Sequence, residues 1–228
     1  MARFLTLFIS IIVLLVAVSF VRSRPASELL SDKYIQSIYA GTGKFDPNIK
    51  KAIWDDKEVP LPPNDLVARL SENYDNVLGN SSNDKWIEVN LTTQHLYAHN
   101  GNNIVYSFPV STGLPWTPTV TGTYYIWAKV RAQRMVGGDV AAGTYYDLPI
   151  VPFVQFFYGG YSLHGTYWHS DFGKPRSHGC VNLSIPDAQA LYYWTNPDLP
   201  SDKYADYQIK PEVSTRIVVY GTTPSNIN

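Results

Sequence analysis

The sequence predicts a mostly β domain with one helix after its only cysteine, Cys180. Residues 87–91 alternate between apolar and polar side chains, as expected for a strand that is buried on one face. Asn100-Gly101 separates two apolar-rich runs, which is a strong hairpin signal. A clear helix start follows the cysteine, so we expect sheets to provide most of the core.

Residues 1–24 have the composition of a targeting segment. Arg3 precedes an apolar run from Phe4 to Val21, and Arg22 and Arg24 follow the run. The run is long for a signal-peptide core and reaches the lower limit for a membrane-spanning helix. It therefore predicts either a cleaved signal or an uncleaved membrane anchor, and both place the rest of the chain outside the cytoplasm.

Residues 25–83 are interpreted as a spacer. Short helices are predicted at 27–39 and 63–78, with a proline-rich break between them and a polar loop at 80–83. A small packing or binding subdomain is the alternative interpretation of this segment. The main domain is expected to begin at residue 84 and to end near residue 224.

Further strands are predicted at 124–130, 150–158 and 217–220, with Thr121-Gly122 in a turn. Residues 131–148 are rich in Gly, Tyr and Ala and lack alternation. This segment is predicted to be a loop, either a lid over a site or a long surface connection.

The predicted helix begins at Ser184-Ile185-Pro186-Asp187, which has the form of a capping box. The helix is expected to run to about Trp194 and to end before Pro197. This placement packs it beside the cysteine.

The composition is typical of a globular protein, with 45% hydrophobic and 16% charged residues. Lys and Arg total 18 against 19 Asp and Glu, and this balance argues against nucleic acid as a partner. A single cysteine excludes an internal disulfide framework.

Cys180 is either a packed residue or a reactive thiol. Free cysteine often packs as a small hydrophobe. A nucleophilic thiol instead needs a nearby base and donors for the oxyanion that forms at an attacked carbonyl. His164 or His178 meets the first need, and the Gly179-Cys180 backbone meets the second. All five histidines precede Cys180, which argues against the papain-like order of cysteine before histidine.

A zinc site is the main alternative chemistry. His164, His169, His178 and Cys180 are four possible ligands in a short segment. They lack the tight ligand pairs of structural zinc sites, and the local glycines and Pro175 disfavour a helix that would align them. We therefore expect no metal and no cofactor.

The cysteine segment resembles the L,D-transpeptidase catalytic domain. The resemblance rests on His164-Gly165-Thr166, on Gly173-Lys174 and on Ser177-His178-Gly179-Cys180-Val181-Asn182. Residues 109–113 and 117–123 match a second recognisable segment of the family. The resemblance covers roughly residues 84 to 224 and implies a β-sandwich with a short helix after the catalytic cysteine.

The resemblance implies acyl transfer on peptidoglycan stem peptides in cell-wall remodelling. Cys180 would attack the carbonyl after the third stem residue and form a thioester, with His164 as base and the Gly165 carbonyl orienting its other nitrogen. The N–H groups of Gly179 and Cys180 would form the oxyanion hole. An amine acceptor would give a crosslink, and water would give a carboxypeptidase reaction. A wall-binding module without turnover is the alternative class.

Other residues are expected to line the pocket or bind substrate. Ser177, His178 and Gly165 are pocket candidates, and His178 is the second candidate for proton transfer. The substrate-binding candidates are Arg176, Asn182, His169, Tyr145 and Tyr146. His169 as an ordinary loop histidine and Arg176 as a solvated charge are the alternatives. The expected partners are stem peptides on the cell-wall or periplasmic side, and the membrane if the N-terminal segment is uncleaved.

Overall fold

Two β-sheets and two helices make up most of the regular structure in the computed structural model, which describes residues 49–71 and 84–225. The strands are β1 Ala52–Trp54, β2 Lys57–Val59, β3 Lys85–Asn90, β4 His95–Asn100, β5 Asn103–Pro109, β6 Gly122–Tyr125, β7 Ala128–Gly137, β8 Tyr146–Tyr158, β9 Tyr161–Thr166, β10 Val181–Ser184, β11 Ala205–Asp206 and β12 Arg216–Tyr220. The helices are α1 Asn64–Ser71 and α2 Ile185–Trp194, and a 3-10 turn spans Pro211–Val213.

The larger sheet has seven strands and the smaller sheet has five. The long strand β8 is central to the larger sheet because it pairs with β7, β9 and β1. Strand β10 adds to β9 in parallel, and this pair forms one end of the sheet. The smaller sheet has the order β5-β4-β3-β12-β6, with β3 and β12 parallel.

One apolar core contains side chains from both sheets and from α2. Its buried members include Ile87, Val219, Phe153, Leu163 and Leu191. Each fully buried aliphatic or aromatic side chain of this kind contributes about 1.5–3 kcal/mol relative to exposure. The predicted mostly β sandwich is confirmed, since the two sheets share this core and α2 packs against β8 and β9.

Several local predictions are confirmed. Strand β3 alternates between buried and partly buried residues, and the hairpin at Asn100-Gly101 joins β4 to β5 with Gly101 at φ +58°. Helix α2 begins after Ser184, whose hydroxyl accepts the Asp187 N–H, and ends at Trp194. Strand β12 includes the predicted residues 217–220.

Two predictions in the middle of the domain are wrong. Residues 124–130 belong to two strands in different sheets, β6 and β7, and Gly122 begins β6 instead of closing a turn. Most of the predicted loop 131–148 lies in β7 and β8, so only residues 138–145 connect these strands. Residues 128–133 of β7 are all buried, although their apolar and polar side chains alternate, because Lys129 and Arg131 donate to backbone carbonyl oxygens. The alternation ends at Gln133, where the register with β8 shifts before Met135.

The N-terminal predictions lie mostly outside the described residues. Of the predicted helix 63–78, residues 64–71 form α1. The targeting segment 1–24 and the predicted helix 27–39 fall outside the described ranges. Within residues 49–71 and 84–225, none of the helices has the length and apolar character needed to cross a membrane.

A hairpin that the sequence analysis did not predict lies within the segment interpreted as a spacer. Strands β1 and β2 pair antiparallel, and Ile53 of β1 pairs with Asp147 of β8. Residues 52–59 therefore extend the sheet that carries the cysteine segment. Each strand has only three residues, which is too short for a recognisable period.

Candidate active site

Cys180 directly precedes β10, next to strand β9. Its Sγ is 3.6 Å from the Ser162 Oγ, and Asn182 pairs with His164 in the parallel register. Side chains two residues apart on a strand share a face, so Ser162 and His164 lie on the same face of β9. The pairing of two adjacent strands thus places the thiol and the imidazole on one side of the sheet.

The Cys180 thiol is partly buried and protonated at rest. Burial raises the pKa of the thiol above its usual value, while hydrogen bonds from the side chain and the backbone of Ser162 lower it. Ser162 is itself fully buried. Both Ser162 donors favour the thiolate, so they assist deprotonation without leaving the sulfur ionised in the free protein.

His164 is buried, with 2% of its surface exposed, and its Nδ1 lies 3.2 Å from the Gly165 carbonyl oxygen. A carbonyl accepts only, so Nδ1–H donates and Nε2 carries the free lone pair. The hydrogen bond expected from the sequence is therefore present. Burial lowers the pKa of His164 to about 4, so the ring is neutral at pH 7 and can accept a proton at Nε2.

Gly165 also serves packing. A Cβ at this position would lie 2.9 Å from the Pro152 Cγ and 3.4 Å from the Ala188 Cβ. Glycine therefore lets β9 approach both β8 and α2 closely. The same residue supplies the carbonyl that orients the His164 ring, so Gly165 fixes both the packing of β9 and the orientation of this imidazole.

The Ser177–Cys180 turn is held by its own hydrogen bonds. The Ser177 hydroxyl donates to the Cys180 carbonyl at 2.5 Å and accepts the Gly179 N–H at 3.0 Å. Gly179 has φ +122°, and a Cβ there would lie 2.2 Å from the Tyr161 Cε1. The Gly179 N–H is thus occupied by Ser177, so it reaches an oxyanion only after the Ser177 hydroxyl releases it.

The segment at residues 111–119 packs directly against this turn. Ser111 and Asn182 exchange backbone hydrogen bonds of 2.9 Å in both directions. The Ser177 carbonyl accepts the Leu114 N–H at 3.0 Å, and the Thr119 hydroxyl donates to the Gly179 carbonyl at 2.8 Å. The two sequence segments singled out by their motifs therefore meet in the fold.

His178 lies against an aromatic wall. Its ring centroid lies 5.0 Å from that of Trp54 and 5.1 Å from that of Tyr146. Both ring nitrogens are buried and have no hydrogen-bond partner among the described residues. Burial lowers the pKa of His178, and the carboxylate of Asp55, 3.9 Å from Nε2, partly opposes that effect.

His169 and Asn182 form a second polar pair. The Asp171 N–H donates to the His169 Nδ1 at 3.3 Å, and the His169 Nε2 lies 2.9 Å from the Asn182 amide. Burial lowers the pKa of His169 to about 4, so the ring is neutral. The Asn182 Nδ2 is the amide atom that lies 2.9 Å from the His169 Nε2, and the Asn182 Oδ1 is buried with no hydrogen-bond partner among the described residues.

The remaining candidates have defined partners. Arg176 donates to Asp171 from Nε at 2.8 Å and from Nη2 at 2.5 Å, and this pair is about half exposed. A substrate carboxylate would have to compete with Asp171 for Arg176. Tyr146 packs on Trp54 and His178, while the Tyr145 carbonyl accepts the Asp56 N–H at 3.1 Å.

Four residues at the site escaped the sequence analysis. Ser162 contacts the thiol, and Trp168 lies between His164 and Trp54, with centroids at 5.8 and 5.6 Å. Trp54 and Asp55 come from the unpredicted hairpin. Ser162 is two residues before His164 on β9, a strand that the sequence analysis did not predict. No local signal marks Trp54 or Asp55.

The histidines and the cysteine do not converge on one point. Among residues 49–71 and 84–225, no three His, Cys, Asp or Glu side chains are grouped so that they could ligate a metal ion. His164 is bonded to a carbonyl, His169 to Asn182, and His178 is enclosed by aromatic rings. The arrangement is suited to acyl transfer by a thiol with a neutral imidazole base.

Comparison with known proteins identifies the family. Residues 84–219 match the family model of the L,D-transpeptidase catalytic domain, called YkuD, and the chain belongs to that family. The resemblance stated from the motifs is thereby confirmed. The hairpin that supplies Trp54 and Asp55 precedes the matched residues.

Similarity to individual proteins is more limited. The putative L,D-transpeptidase YciB of Bacillus subtilis is 28% identical over 120 residues, covering 47% of this chain and 59% of that protein. L,D-transpeptidase 1 of Mycobacterium tuberculosis is 29% identical over 134 residues, covering 56% of this chain and 51% of that protein. The chain thus spans little more than half the length of these curated relatives.

Solved structures match about three fifths of this chain. An L,D-transpeptidase from Mycobacterium smegmatis is 24% identical, with a TM-score of 0.48 over 60% of this chain and 59% of that chain. The catalytic domain of an E. faecium L,D-transpeptidase acylated by ertapenem is also 24% identical, with a TM-score of 0.46 over 62% of this chain and 100% of that chain.

Proposed function

We propose that this protein is a cysteine L,D-transpeptidase that crosslinks peptidoglycan stem peptides through a thioester acyl-enzyme. The observation that carries the proposal is the arrangement of Cys180, Ser162 and His164 on strands β9 and β10. The thiol has two donors that favour its thiolate, and the imidazole on the same face presents an unprotonated Nε2.

Acylation begins when a stem peptide binds with the carbonyl of its third residue next to the thiol. His164 Nε2 takes the thiol proton as the Cys180 sulfur attacks that carbonyl carbon. The C–S bond forms, the C–N bond to the terminal D-alanine breaks, and the imidazolium returns the proton to the leaving amine. Since the pKa of His164 lies far below that of the thiol, the proton moves during the attack and not before it.

The oxyanion formed in this step needs hydrogen-bond donors that face it. The Cys180 N–H is one candidate, and the Gly179 N–H becomes a second if Ser177 releases it. A change of the Ser177 χ1 rotamer would release it without moving the backbone, and would also break the bond from the hydroxyl to the Cys180 carbonyl oxygen.

The fate of the thioester decides between two reactions. Attack by an amine of a neighbouring stem gives a crosslink, whereas attack by water gives an L,D-carboxypeptidase. Residues 1–24 would place either reaction outside the cytoplasm, on the cell-wall or periplasmic side, as an exported or a membrane-anchored protein. A wall-binding module without turnover is the remaining alternative, and a buried thiol with an oriented base favours the enzyme over it.

Protein mass after incubation with a purified stem tetrapeptide tests this function. The expected result is a mass increase equal to the acyl group of the first three residues, together with released D-alanine. Cys180→Ala should show neither product while keeping the circular dichroism of the wild type. A wild-type protein that binds the tetrapeptide but never gains mass would favour the wall-binding module.

A further inference from the structure

The turn of the β1–β2 hairpin lies against the active site although it precedes the family-matched residues 84–219. Trp54 pairs with Lys57, so the turn contains only Asp55 and Asp56. Their φ angles are +49° and +57°, which is the left-handed region for both residues. A two-residue hairpin turn of this kind normally uses Asn and Gly, and Asp is among the few other residues that tolerate the conformation.

Three contacts fix the position of this turn. The Asp56 N–H donates to the Tyr145 carbonyl at 3.1 Å, and Ile53 pairs with Asp147. The Trp54 ring packs at 5.0 Å on His178. The turn therefore forms part of the wall around His178. Backbone contacts with β8 and with Tyr145, which precedes β8, hold the turn in place.

Asp55 and His178 face each other across a gap that no direct hydrogen bond closes. The Asp55 Oδ1 lies 3.9 Å from the His178 Nε2, which exceeds hydrogen-bond range. The His178 side chain is 14% exposed, and neither of its ring nitrogens has a hydrogen-bond partner among the described residues. The Asp55 side chain is 41% exposed, so the gap opens to solvent on the Asp55 side.

The gap presents two hydrogen-bond acceptors. Burial lowers the pKa of His178, so the ring is neutral at pH 7, and in the tautomer that carries its proton on Nδ1 the Nε2 accepts. The carboxylate of Asp55 also accepts. A primary amine has two N–H donors and one lone pair, so it can bridge both groups and keep the lone pair free. The other charged groups that act on Asp55 are Arg176, Lys57 and Asp56, and Arg176 is already paired with Asp171.

We propose that Asp55 and His178 form the subsite that binds the acyl-acceptor amine. This inference rests on the proposed transpeptidase function and assigns its second substrate to a hairpin outside the family-matched domain. Trp54 connects this subsite to the base, because its ring contacts both His178 and Trp168, and Trp168 contacts His164. The amine therefore binds along the same wall that holds His164.

The bound neutral amine attacks the thioester carbonyl through its lone pair. The C–N bond forms, the C–S bond breaks, and the electron pair of that bond stays on the Cys180 sulfur. The attacking nitrogen becomes cationic and releases the N–H that His178 had held; that proton passes to His164 Nε2, which then reprotonates the thiolate. Asp55 and His178 gain no proton in this step, because they only hold and orient the amine.

The test compares Asp55→Asn with the matched control Asp56→Asn in the full chain. Both variants keep a side chain that tolerates positive φ, and each removes one carboxylate from the same turn. The substrates are a purified stem tetrapeptide as donor and the same peptide as amine acceptor. The readouts are the rate of acyl-enzyme formation by mass, and the ratio of crosslinked dimer to hydrolysed tripeptide.

For Asp55→Asn we expect the ratio of crosslink to hydrolysis to fall about tenfold through a higher KM for the acceptor, as the loss of a charged hydrogen-bond acceptor implies. Acyl-enzyme formation should stay within about twofold of the wild type, because the amine takes no part in that step. Asp56→Asn should leave both quantities unchanged. Asp55→Gly should give the same loss as Asp55→Asn while retaining the fold, since glycine relieves the left-handed backbone.

Other outcomes overturn the proposal. An unchanged ratio of crosslink to hydrolysis in Asp55→Asn would show that the Asp55 carboxylate does not bind the acceptor amine. An equal loss of acylation and crosslinking, or an equal effect of Asp56→Asn, would show that the turn only supports the wall. If the wild type forms no acyl-enzyme, the proposed function fails together with the subsite. If it crosslinks normally and only the Asp55 prediction fails, the subsite alone is wrong.

Discussion

The Ser162 Oγ lies 3.6 Å from the Cys180 Sγ, across the parallel pair of β9 and β10. The Ser162 hydroxyl can donate to the sulfur, and its effect is to lower the pKa of a thiol that burial raises. A neutral side chain next to the nucleophile thus assists its ionisation, while the proton acceptor is a separate residue.

Ser162→Ala tests this relationship. The variant loses the side-chain donor and keeps the backbone donor, so we expect the acylation rate at neutral pH to fall about tenfold. The pKa of the thiol, read from the pH dependence of alkylation, should rise. Ser170→Ala, at an exposed serine, is the control and should behave as the wild type. An unchanged thiol pKa in Ser162→Ala would remove the serine from the mechanism.

The histidines should differ in their effects on rate. His164→Ala should lower acylation by about 10²–10⁴-fold, because it removes the proposed base. His169→Ala should have a smaller effect, since its ring bonds to Asn182 and not to the thiol. Single-turnover mass spectrometry of the acyl-enzyme measures both rates. A larger loss in His169→Ala would reassign the base.

The nucleophile can be mapped with a carbapenem, because the strained ring carbonyl is an electrophile for the thiolate. We expect a stable adduct on the Cys180 peptide, absent in Cys180→Ala and in Cys180→Ser. Treatment with a chelator should leave the turnover of the wild type unchanged. Activity that is lost to chelation and restored by metal would instead favour the zinc interpretation.

Protonation of the buried histidines should destabilise the fold in acid. His164 and His169 both have pKa values of about 4 in the folded protein, against 6.5 as the ordinary value. Between these values the unfolded chain binds more protons, so the free energy of unfolding should fall as the pH falls from about 6.5 toward 4. The stabilisation that arises from the two neutral, buried histidines is fully present above pH 6.5.

Urea unfolding at several pH values checks this prediction. The slope of the free energy of unfolding against pH should contain about two protons from His164 and His169, with a smaller contribution from His178, whose pKa burial also lowers. His169→Gln should reduce the slope by about one proton. A slope that does not change in this variant would mean that His169 is already protonated in the fold.

Two glycines with positive φ should differ in their tolerance of alanine. Gly173 has φ +96° with no atom within 4 Å of a Cβ, so Gly173→Ala should cost about 1–2 kcal/mol from the backbone alone. Gly179→Ala carries a similar backbone cost and also overlaps Tyr161 at 2.2 Å. Chemical unfolding should show a larger loss for Gly179→Ala, part of which Tyr161→Ala restores. Equal losses in the two glycine variants would contradict the overlap.

The sequence by itself determined the features that depend on neighbouring residues. The hairpin at Asn100-Gly101 and the cap at Ser184 each arise from a few adjacent side chains and their backbone. The bond from His164 to the Gly165 carbonyl is also local, as it joins adjacent residues. The cysteine motif identified the family for the same reason, because its residues are contiguous.

Only the tertiary structure decided how distant segments complete the site. The register shift between Gln133 and Met135 broke the alternation that would have marked the second half of β7 as a strand. Ser177 occupies the Gly179 N–H through a turn geometry that no pattern of residue types encodes. Trp54 and Asp55 reach His178 because β1 pairs with β8, and strand pairing between remote segments depends on the packing of the whole sheet.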